Sequence, residues 1–188
     1  MNGKFANWIA LFSQTGTEIV DLSEKLGRSP DVIISNSSPK KVNPVIKYKV
    51  HHWLSKEGAK TLDILDDIAH EFDTLITLNG WLRIVPSDKC SKFNIYNGHP
   101  GLITKYPELK GKDPQQRAID NLHKYDYIGS VVHKVVEEVD AGEIEEEESV
   151  LTTDLPYMLT VDDVYNTLRG TSLRAWCRFL KERLYNKV

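Results

Sequence analysis

The stretch FNIYNGHPG, residues 93–101, carries the pattern on which the predicted fold and site depend. Its alternating apolar residues predict a strand that stops at Asn97, and His99 follows two positions later. Gly98 allows the backbone to turn sharply, and Pro100 keeps His99 out of the helical region. Such a strand end brings an amide and an imidazole to the carboxyl edge of a sheet, where open α/β folds bind ligands. The alternative interpretation is an ordinary Asn-Gly hairpin turn.

Patterns typical of buried strands alternate with helical patterns along the rest of the chain. The apolar run from Asn7 to Phe12 is typical of a strand buried on both faces of a parallel sheet. Further strands are predicted at 32–35, 45–50, 74–78, 127–139 and 144–151, and helices at 19–26, 59–72, 115–123 and 161–184. We therefore expect a single α/β domain over residues 1–188, a Rossmann-like doubly wound fold with a mostly parallel central sheet and helices on both faces.

Composition and charge limit the classes of function. Of the 188 residues, 40% are hydrophobic and 27% are charged, which is typical of a globular protein. The net charge of -3 argues against a nucleic-acid partner, since a general nucleic-acid binder has an excess of basic residues. Cys90 and Cys177 are too few for a disulfide framework and favour a reducing compartment. Because no leader pattern and no apolar run of ~18 residues is present, we expect a cytoplasmic protein without a membrane partner.

No metal site is predicted. His51 and His52 are adjacent, but neighbouring side chains on an extended chain point to opposite faces, and no further Cys or His stands at ligand spacing. We interpret both as surface histidines.

A polar loop, Gln14-Thr15-Gly16-Thr17-Glu18, follows the first predicted strand and leads into a helix. Backbone N–H groups at such a helix start could hold an anion. Glu18 stands where it would repel that anion, so a plain connection between strand and helix is the alternative.

Three polar side chains are predicted to meet at the sheet edge: Asn97, His99, and Asp140 of an Asp-Ala-Gly turn. A carboxylate beside an imidazole raises the pKa of the imidazole, so we expect a protonated His99. His99 and the Asn97 amide could then both donate to an oxygen that becomes negative. Asp140 could take the proton that an attacking amine loses. This set suits transfer of a one-carbon acyl group to an amine without a covalent enzyme intermediate; the alternative is that Asp140 is only a turn residue.

A second feature of the same edge is the segment from Gly80 to Val85, which leaves the predicted strand 74–78. A glycine followed by large apolar residues could form the wall of a flat aromatic pocket. Alternatively, Trp81 and Ile84 belong to the core.

Several of these motifs resemble, in the same order, those of the folate-dependent formyltransferases. The resemblance runs from about Ile9 to Val150, and within the family the glycinamide ribonucleotide enzymes are the most similar. The matching motifs are Ile33-Ile34-Ser35-Asn36, Gly80-Trp81-Leu82-Arg83-Ile84-Val85, Asn97-Gly98-His99-Pro100, and Gly129-Ser130-Val131-Val132-His133 followed by Asp140-Ala141-Gly142.

The resemblance implies a one-carbon transferase of purine biosynthesis that takes a formyl group from 10-formyltetrahydrofolate and uses no metal. Asn97, His99 and Asp140 would be the catalytic residues, whereas His133 lies near the family's site with a structural role equally open. The implied folate contacts are Leu82, Arg83, Ile84, Val85, Glu138, Val139 and Asp140, and the implied acceptor contacts are Thr15, Gly16, Thr17 and Pro100. The partners would be folate and a small amine, with a homodimer left open.

The sequence departs from the family pattern at positions that affect the predicted identity of the acceptor. Gly101 and Thr104 replace a serine and a proline after His-Pro, and acids at 145–148 follow the Asp-x-Gly turn. The loop 14–18 replaces a glycine-rich phosphate loop and places Glu18 there. The segment 105–119 is also similar to the sugar-nucleotide and methionyl-tRNA formyltransferases. The identity of the acceptor therefore stays open between glycinamide ribonucleotide and another amine, such as an amino sugar nucleotide or a modified nucleobase. Two alternative functions are hydrolysis of 10-formyltetrahydrofolate and folate binding without catalysis.

Overall fold

The computed structural model describes residues 5–156 and 160–185, and within them the strands form one seven-stranded sheet. The strands are β1 (Asn7–Phe12), β2 (Val32–Ser35), β3 (His52–Trp53), β4 (Thr74–Leu78), β5 (Asn94–His99), β6 (Tyr127–Lys134) and β7 (Ile144–Leu151). Their order is β3-β2-β1-β4-β5-β6-β7. The strands from β3 to β5 pair in parallel, whereas β6 is antiparallel to β5 and β7 is antiparallel to β6. The predicted doubly wound, mostly parallel sheet is confirmed.

Helices connect the strands and cover both faces of the sheet. They are α1 (Thr17–Leu26), α2 (Pro44–Lys47), α3 (Gly58–Thr61), α4 (Ile64–Ile68), α5 (Ser87–Lys92), α6 (Pro114–Asp120) and α7 (Val161–Leu184). The helix predicted at 115–123 thus ends earlier, at Asp120, and a 3-10 turn (Leu122–Lys124) follows it.

β1 lies at the centre of the core because its side chains alternate between the two faces. Trp8 and Phe12 join one apolar cluster with residues of α1 and α7, and Ile9 and Leu11 join the opposite cluster with residues of α3 and α4. All four side chains are buried, and each such burial is worth about 1.5–3 kcal/mol. The prediction of a strand buried on both faces is confirmed.

The strand predicted at 45–50 is wrong, because Asn43 and Pro44 begin a helix there. Asn43 Oδ1 accepts a hydrogen bond from Val45 N at 3.0 Å, and Pro44 occupies the first turn of α2. An Asn cap followed by proline is a strong helix-start signal, and here it outweighs the alternation of apolar residues. The third strand comes later and consists of His52–Trp53 alone.

Two further predicted elements are shorter than expected. The helix predicted at 59–72 is divided into α3 and α4 because Leu62 adopts a left-handed conformation, with φ of 52°. Phe72, predicted to belong to the core, is 85% exposed. β6 ends at Lys134 rather than Val139, since the chain turns there towards β7.

α7 is confirmed over its predicted length and packs against the sheet. Its start is fixed by a capping box, in which Thr160 Oγ1 accepts from Asp163 N at 3.2 Å and Asp163 Oδ2 accepts from Thr160 N at 2.9 Å. Such a cap contributes about 1 kcal/mol. No helix in residues 5–156 or 160–185 combines the length and the apolar character that crossing a membrane requires.

The strand order reverses between β1 and β4, so the carboxyl ends of these strands open into one crevice. Hydrogen bonds join the loops that follow them. Ser13 N donates to the Gly80 carbonyl at 3.1 Å, and Ser13 Oγ accepts from Leu82 N at 3.0 Å. Gly80 has a φ of 70°, a conformation that favours glycine. The crevice therefore lies where the polar loops were predicted to converge.

Candidate active site

The structure brings Asn97, His99 and Asp140 together, with His133 between them. β5 extends through His99 because it pairs with β6, and Asn97 stands opposite His133 in that register. Asn97 Nδ2 lies 3.3 Å from His133 Nε2. Asp140 reaches both histidines, with Oδ1 3.3 Å from His133 Nε2 and Oδ2 3.4 Å from His99 Nδ1. An amide, two imidazoles and a carboxylate thus form one polar cluster.

The turn that carries Asp140 is tightly specified. Asp140 has a φ of 53°, which is uncommon for a residue other than glycine and is often found at functional sites. A Cβ atom on Gly142 would collide with the carbonyl of Lys134, so glycine is needed where the chain returns to β6. From the other side, Gly111 N donates to Asp140 Oδ2 at 2.8 Å. The carboxylate is therefore held in place from both directions.

Burial determines the charge states of the cluster. Burial lowers the pKa of His99 below its ordinary value, although the Asp140 carboxylate and the Leu109 carbonyl act in the opposite direction. The expected rise in the pKa of His99 is therefore wrong, because its side chain is only 5% exposed and desolvation outweighs one carboxylate. Burial acts to raise the pKa of Asp140, but a hydrogen bond with His133, the His99 charge and the Gly111 N–H bring that pKa below its ordinary value.

Both ring nitrogens of His99 face oxygen acceptors. Nε2 lies 2.9 Å from the Leu109 carbonyl oxygen, and Nδ1 faces Asp140. A neutral ring can donate to only one of these oxygens, whereas an imidazolium can donate to both. These two acceptors favour the imidazolium form of His99, but burial outweighs them and lowers the pKa of His99 overall. Arg117 fixes the loop, since its Nη2 donates to Leu109 O at 3.1 Å and to Lys110 O at 2.7 Å.

A cavity of about 400 Å³ opens beside this cluster. It is bounded by the start of α1, the loop after β4, the end of β5 and one side of α7. Gly98 and Pro100, the chain neighbours of His99, line it, whereas the four side chains of the polar cluster do not. The residues predicted to contact the acceptor, Thr15, Gly16, Thr17 and Pro100, all line it.

Glu18 lines the same cavity from the first turn of α1. Its Oε2 accepts from Asn79 Nδ2 at 3.0 Å, and its Oε1 accepts from Ser172 Oγ at 2.7 Å. Burial raises the pKa of Glu18, and these two hydrogen bonds partly offset that rise. The residues around Glu18 in the sequence indicate that its carboxylate would repel an anion. They do not indicate its hydrogen bonds, because Asn79 and Ser172 come from distant parts of the chain.

The two segments predicted to hold folate expose apolar side chains. Leu82 and Ile84 are 63% and 67% exposed, and Val139 is 50% exposed. Val85 and Trp81 are buried, so the core interpretation is right for Trp81 and wrong for Ile84. Large exposed apolar side chains beside a polar crevice are typical of a ligand-binding wall.

His133 is the member of the cluster to which sequence reasoning gave no definite role. The available signal was a histidine within the apolar strand of residues 127–134, since a buried polar group needs a partner. That partner, Asp140, is set by the turn after β6 and was not visible from spacing. Among the residues that the structure describes, no group of three or more His, Cys, Asp or Glu is arranged to hold a metal ion.

The sequence profile described as "Formyl transferase" matches residues 7–178. The chain belongs to the formyl transferase family. Among curated relatives, the phosphoribosylglycinamide formyltransferase of Dictyostelium discoideum is 36% identical over 95 residues, which are 46% of this chain and 42% of the relative. The trifunctional purine biosynthetic protein adenosine-3 of Homo sapiens is 30% identical over 162 residues, which are 78% of this chain and 15% of the relative. The chain therefore spans less than half the length of these relatives.

Several solved structures share the fold of this chain. Phosphoribosylglycinamide formyltransferase from Anaplasma phagocytophilum has a TM-score of 0.75 at 20% identity, over 93% of this chain and 84% of that one. The corresponding protein from Campylobacter jejuni has a TM-score of 0.75 at 17% identity, over 96% and 98% of the two chains. A formyltetrahydrofolate deformylase from Pseudomonas syringae has a TM-score of 0.71 at 19% identity, over 95% and 61%. At these identities the likeness establishes the fold.

Proposed function

We propose that this protein transfers a formyl group from 10-formyltetrahydrofolate to the primary amine of a small acceptor. The observation that carries the proposal is the contact of Asp140 with both His99 and His133, beside Asn97, in a member of the formyl transferase family. The names of the relatives make glycinamide ribonucleotide the first acceptor to assay. We also expect the protein to act in the cytoplasm.

Asn97 and His99 would stabilise the charge that develops on the formyl oxygen. The Asn97 amide provides one N–H donor. The Nε2 atom of His99 now contacts the Leu109 carbonyl, and exchanging that contact for one with the formyl oxygen would provide the second donor. Removing one donor from such a pair typically lowers turnover by about 10²–10³-fold.

Asp140 and His99 would assist the proton transfers that accompany formyl transfer. As the amine nitrogen bonds to the formyl carbon, it loses a proton, which the ionised Asp140 can accept directly or through water. The bond from the formyl carbon to N10 then breaks, and N10 takes up the proton that Asp140 accepted, directly or through water, so that the protein returns to its starting state. While Nε2 of His99 donates to the formyl oxygen, the Asp140 oxygen that faces Nδ1 would stabilise positive charge on the ring.

The folate donor supplies the formyl carbon, and the exposed apolar side chains that follow β4 and β6 fit the flat face of a pterin. The polar edge of the ring would be held largely by backbone groups. The proposed contacts are Leu82, Arg83, Ile84, Val85, Glu138, Val139 and Asp140.

Release of tetrahydrofolate in the presence of a panel of primary amines tests the proposal. We expect release that depends on an acceptor and that is lost in His99→Gln. The control is His123→Gln, because His123 is an exposed histidine on the 3-10 turn after α6. Equal release without any acceptor would indicate hydrolysis of the donor instead. Folate binding without release in either condition would indicate a binding protein.

A further inference from the structure

The cavity beside the polar cluster contains a feature that formyl transfer itself does not require, an acidic side chain at the start of α1. Both carboxylate oxygens of Glu18 accept hydrogen bonds, from Asn79 and from Ser172, so the side chain is held in one position at the cavity wall. A carboxylate has about four acceptor sites, and two of these remain for a ligand.

The one basic side chain among the described residues that line this cavity already has a partner. Among the described residues that line it, Arg169 is the only basic side chain, and its guanidinium forms an ion pair with Asp21. The remaining polar lining consists of neutral hydroxyl and amide groups, such as those of Thr15, Gln115 and Tyr165. A phosphate dianion would therefore meet the Glu18 carboxylate and, within residues 5–156 and 160–185, no lining cation that is not already in an ion pair.

Two backbone N–H groups at the start of α1 are also engaged within the protein. Thr17 N donates to Thr15 Oγ1 at 3.3 Å, and Ile19 N donates to the Gly16 carbonyl at 3.1 Å. The ionised form of Glu18, to which Asn79 and Ser172 both donate, would complement the helix dipole in the first turn, which otherwise favours an anion from outside. The protein thus supplies its own anion at this helix start.

We infer that Glu18 is a specificity-determining residue that excludes a phosphate monoester from this cavity and selects an acceptor bearing uncharged hydroxyl or amide groups there. The inference rests on the proposed function and narrows its acceptor. Hydroxyl groups of a sugar suit this lining, because they can donate to Glu18 and accept from the neutral donors around it.

Two acceptors that differ only in the phosphate test this inference. Glycinamide ribonucleotide and its dephosphorylated riboside would be compared by kcat/KM with wild-type protein, Glu18→Gln and Glu18→Asn. Glu24→Gln is the matched control, because Glu24 is an exposed acid on the same helix and does not line this cavity. In parallel, the affinities for ribose 5-phosphate and ribose would be measured by calorimetry, which needs no turnover.

We expect the wild type to prefer the riboside by about tenfold or more, and Glu18→Gln to shift this ratio towards the ribonucleotide by about tenfold, mainly through KM. Ribose 5-phosphate should bind Glu18→Gln more tightly than the wild type, with no such gain in Glu24→Gln. A wild-type preference for the ribonucleotide, or a ratio unchanged in both folded Glu18 variants, overturns the inference. If no amine is formylated, the proposed function fails, and the two sugar affinities still decide the role of Glu18.

Discussion

Asp140 lies between His99 and His133, and its Oδ2 is 3.4 Å from His99 Nδ1 although the two residues come from distant parts of the chain. Strand pairing places His133 opposite Asn97 of β5, but Asp140 lies beyond the end of β6, and the turn between β6 and β7 brings it back to the site. The turn is therefore as important to the proposed chemistry as the strand that ends in His99.

Asp140→Asn should lower kcat by about 10²–10⁴-fold, because the amide keeps the shape of the side chain and cannot accept the proton of the amine. Affinity for tetrahydrofolate should change little, since the proposed contacts are mostly backbone groups. The measurement is steady-state formyl transfer, with donor affinity by fluorescence titration. A kcat within about threefold of wild type would show that the carboxylate is not the base.

His133→Leu should move the acidic limb of the pH–rate profile to higher pH. The hydrogen bond with His133 helps to lower the pKa of Asp140, so its loss raises that pKa, and Asp140 becomes protonated earlier as the pH falls. The measurement is kcat/KM across the acidic range. If the acidic limb of a folded variant does not move, the limb does not report the ionisation of Asp140, and the prediction is wrong.

Gly98→Ala should destabilise the fold. A Cβ atom at Gly98 would collide with Trp176 Nε1, and the Trp176 ring is fully buried. Overpacking of this kind costs about 1–3 kcal/mol in the free energy of unfolding. Denaturant unfolding checks the loss against Gly58→Ala, where the new Cβ would lie 3.6 Å from Ser55 Oγ in ordinary contact. Equal stability of the two variants would contradict the packing argument.

Ion pairs between α7 and β7 should make stability depend on salt and on acid. Arg178 pairs with Glu146 at 3.0 Å and also with Glu148, and Arg174 pairs with Glu148 at 2.7 Å. Because the pairs are partly exposed, Arg178→Gln should cost only about 0.5–1 kcal/mol, and less at high salt. Equal losses at low and high salt would show that the ion pairs are not the cause.

The acid dependence of these pairs follows from Glu148. Burial acts to raise the pKa of Glu148, but its hydrogen bonds with Arg174 and Arg178 lower that pKa overall. The stabilisation is therefore present above the ordinary pKa of a glutamate and is lost as the pH falls through the lowered value. Urea unfolding of the wild type and Arg178→Gln at several acidic pH values should show the two stabilities converging.

The sheet could be predicted from sequence because each central strand can be recognised from its own residues. The apolar runs of β1 and β4 need no partner to be recognised as strands buried on both faces. Prediction failed where one backbone preference outweighed the apolar pattern, as at Asn43-Pro44, which begins α2, and at Leu62, whose left-handed conformation divides a helix.

The site could be predicted only in part for a different reason. Asn97 and His99 share one strand end, so their proximity follows from spacing. The bridging position of His133 and the hydrogen bonds from Asn79 and Ser172 to Glu18 depend on tertiary contacts between distant elements. The shift of the His99 pKa was predicted in the wrong direction. Burial lowers this pKa, and the depth of burial cannot be predicted from the neighbouring residues.

The central claim is that His99 and Asp140 act as one unit in formyl transfer, and a double-mutant cycle tests it most directly. Wild type, His99→Gln, Asp140→Asn and the double variant would be compared by kcat with saturating 10-formyltetrahydrofolate and an amine acceptor. We predict that each single change lowers kcat by about 10²-fold or more and that the double variant is within about tenfold of the slower single variant, as expected for groups that act together. Losses that multiply in the double variant, or a single variant that retains the wild-type rate, would contradict the account.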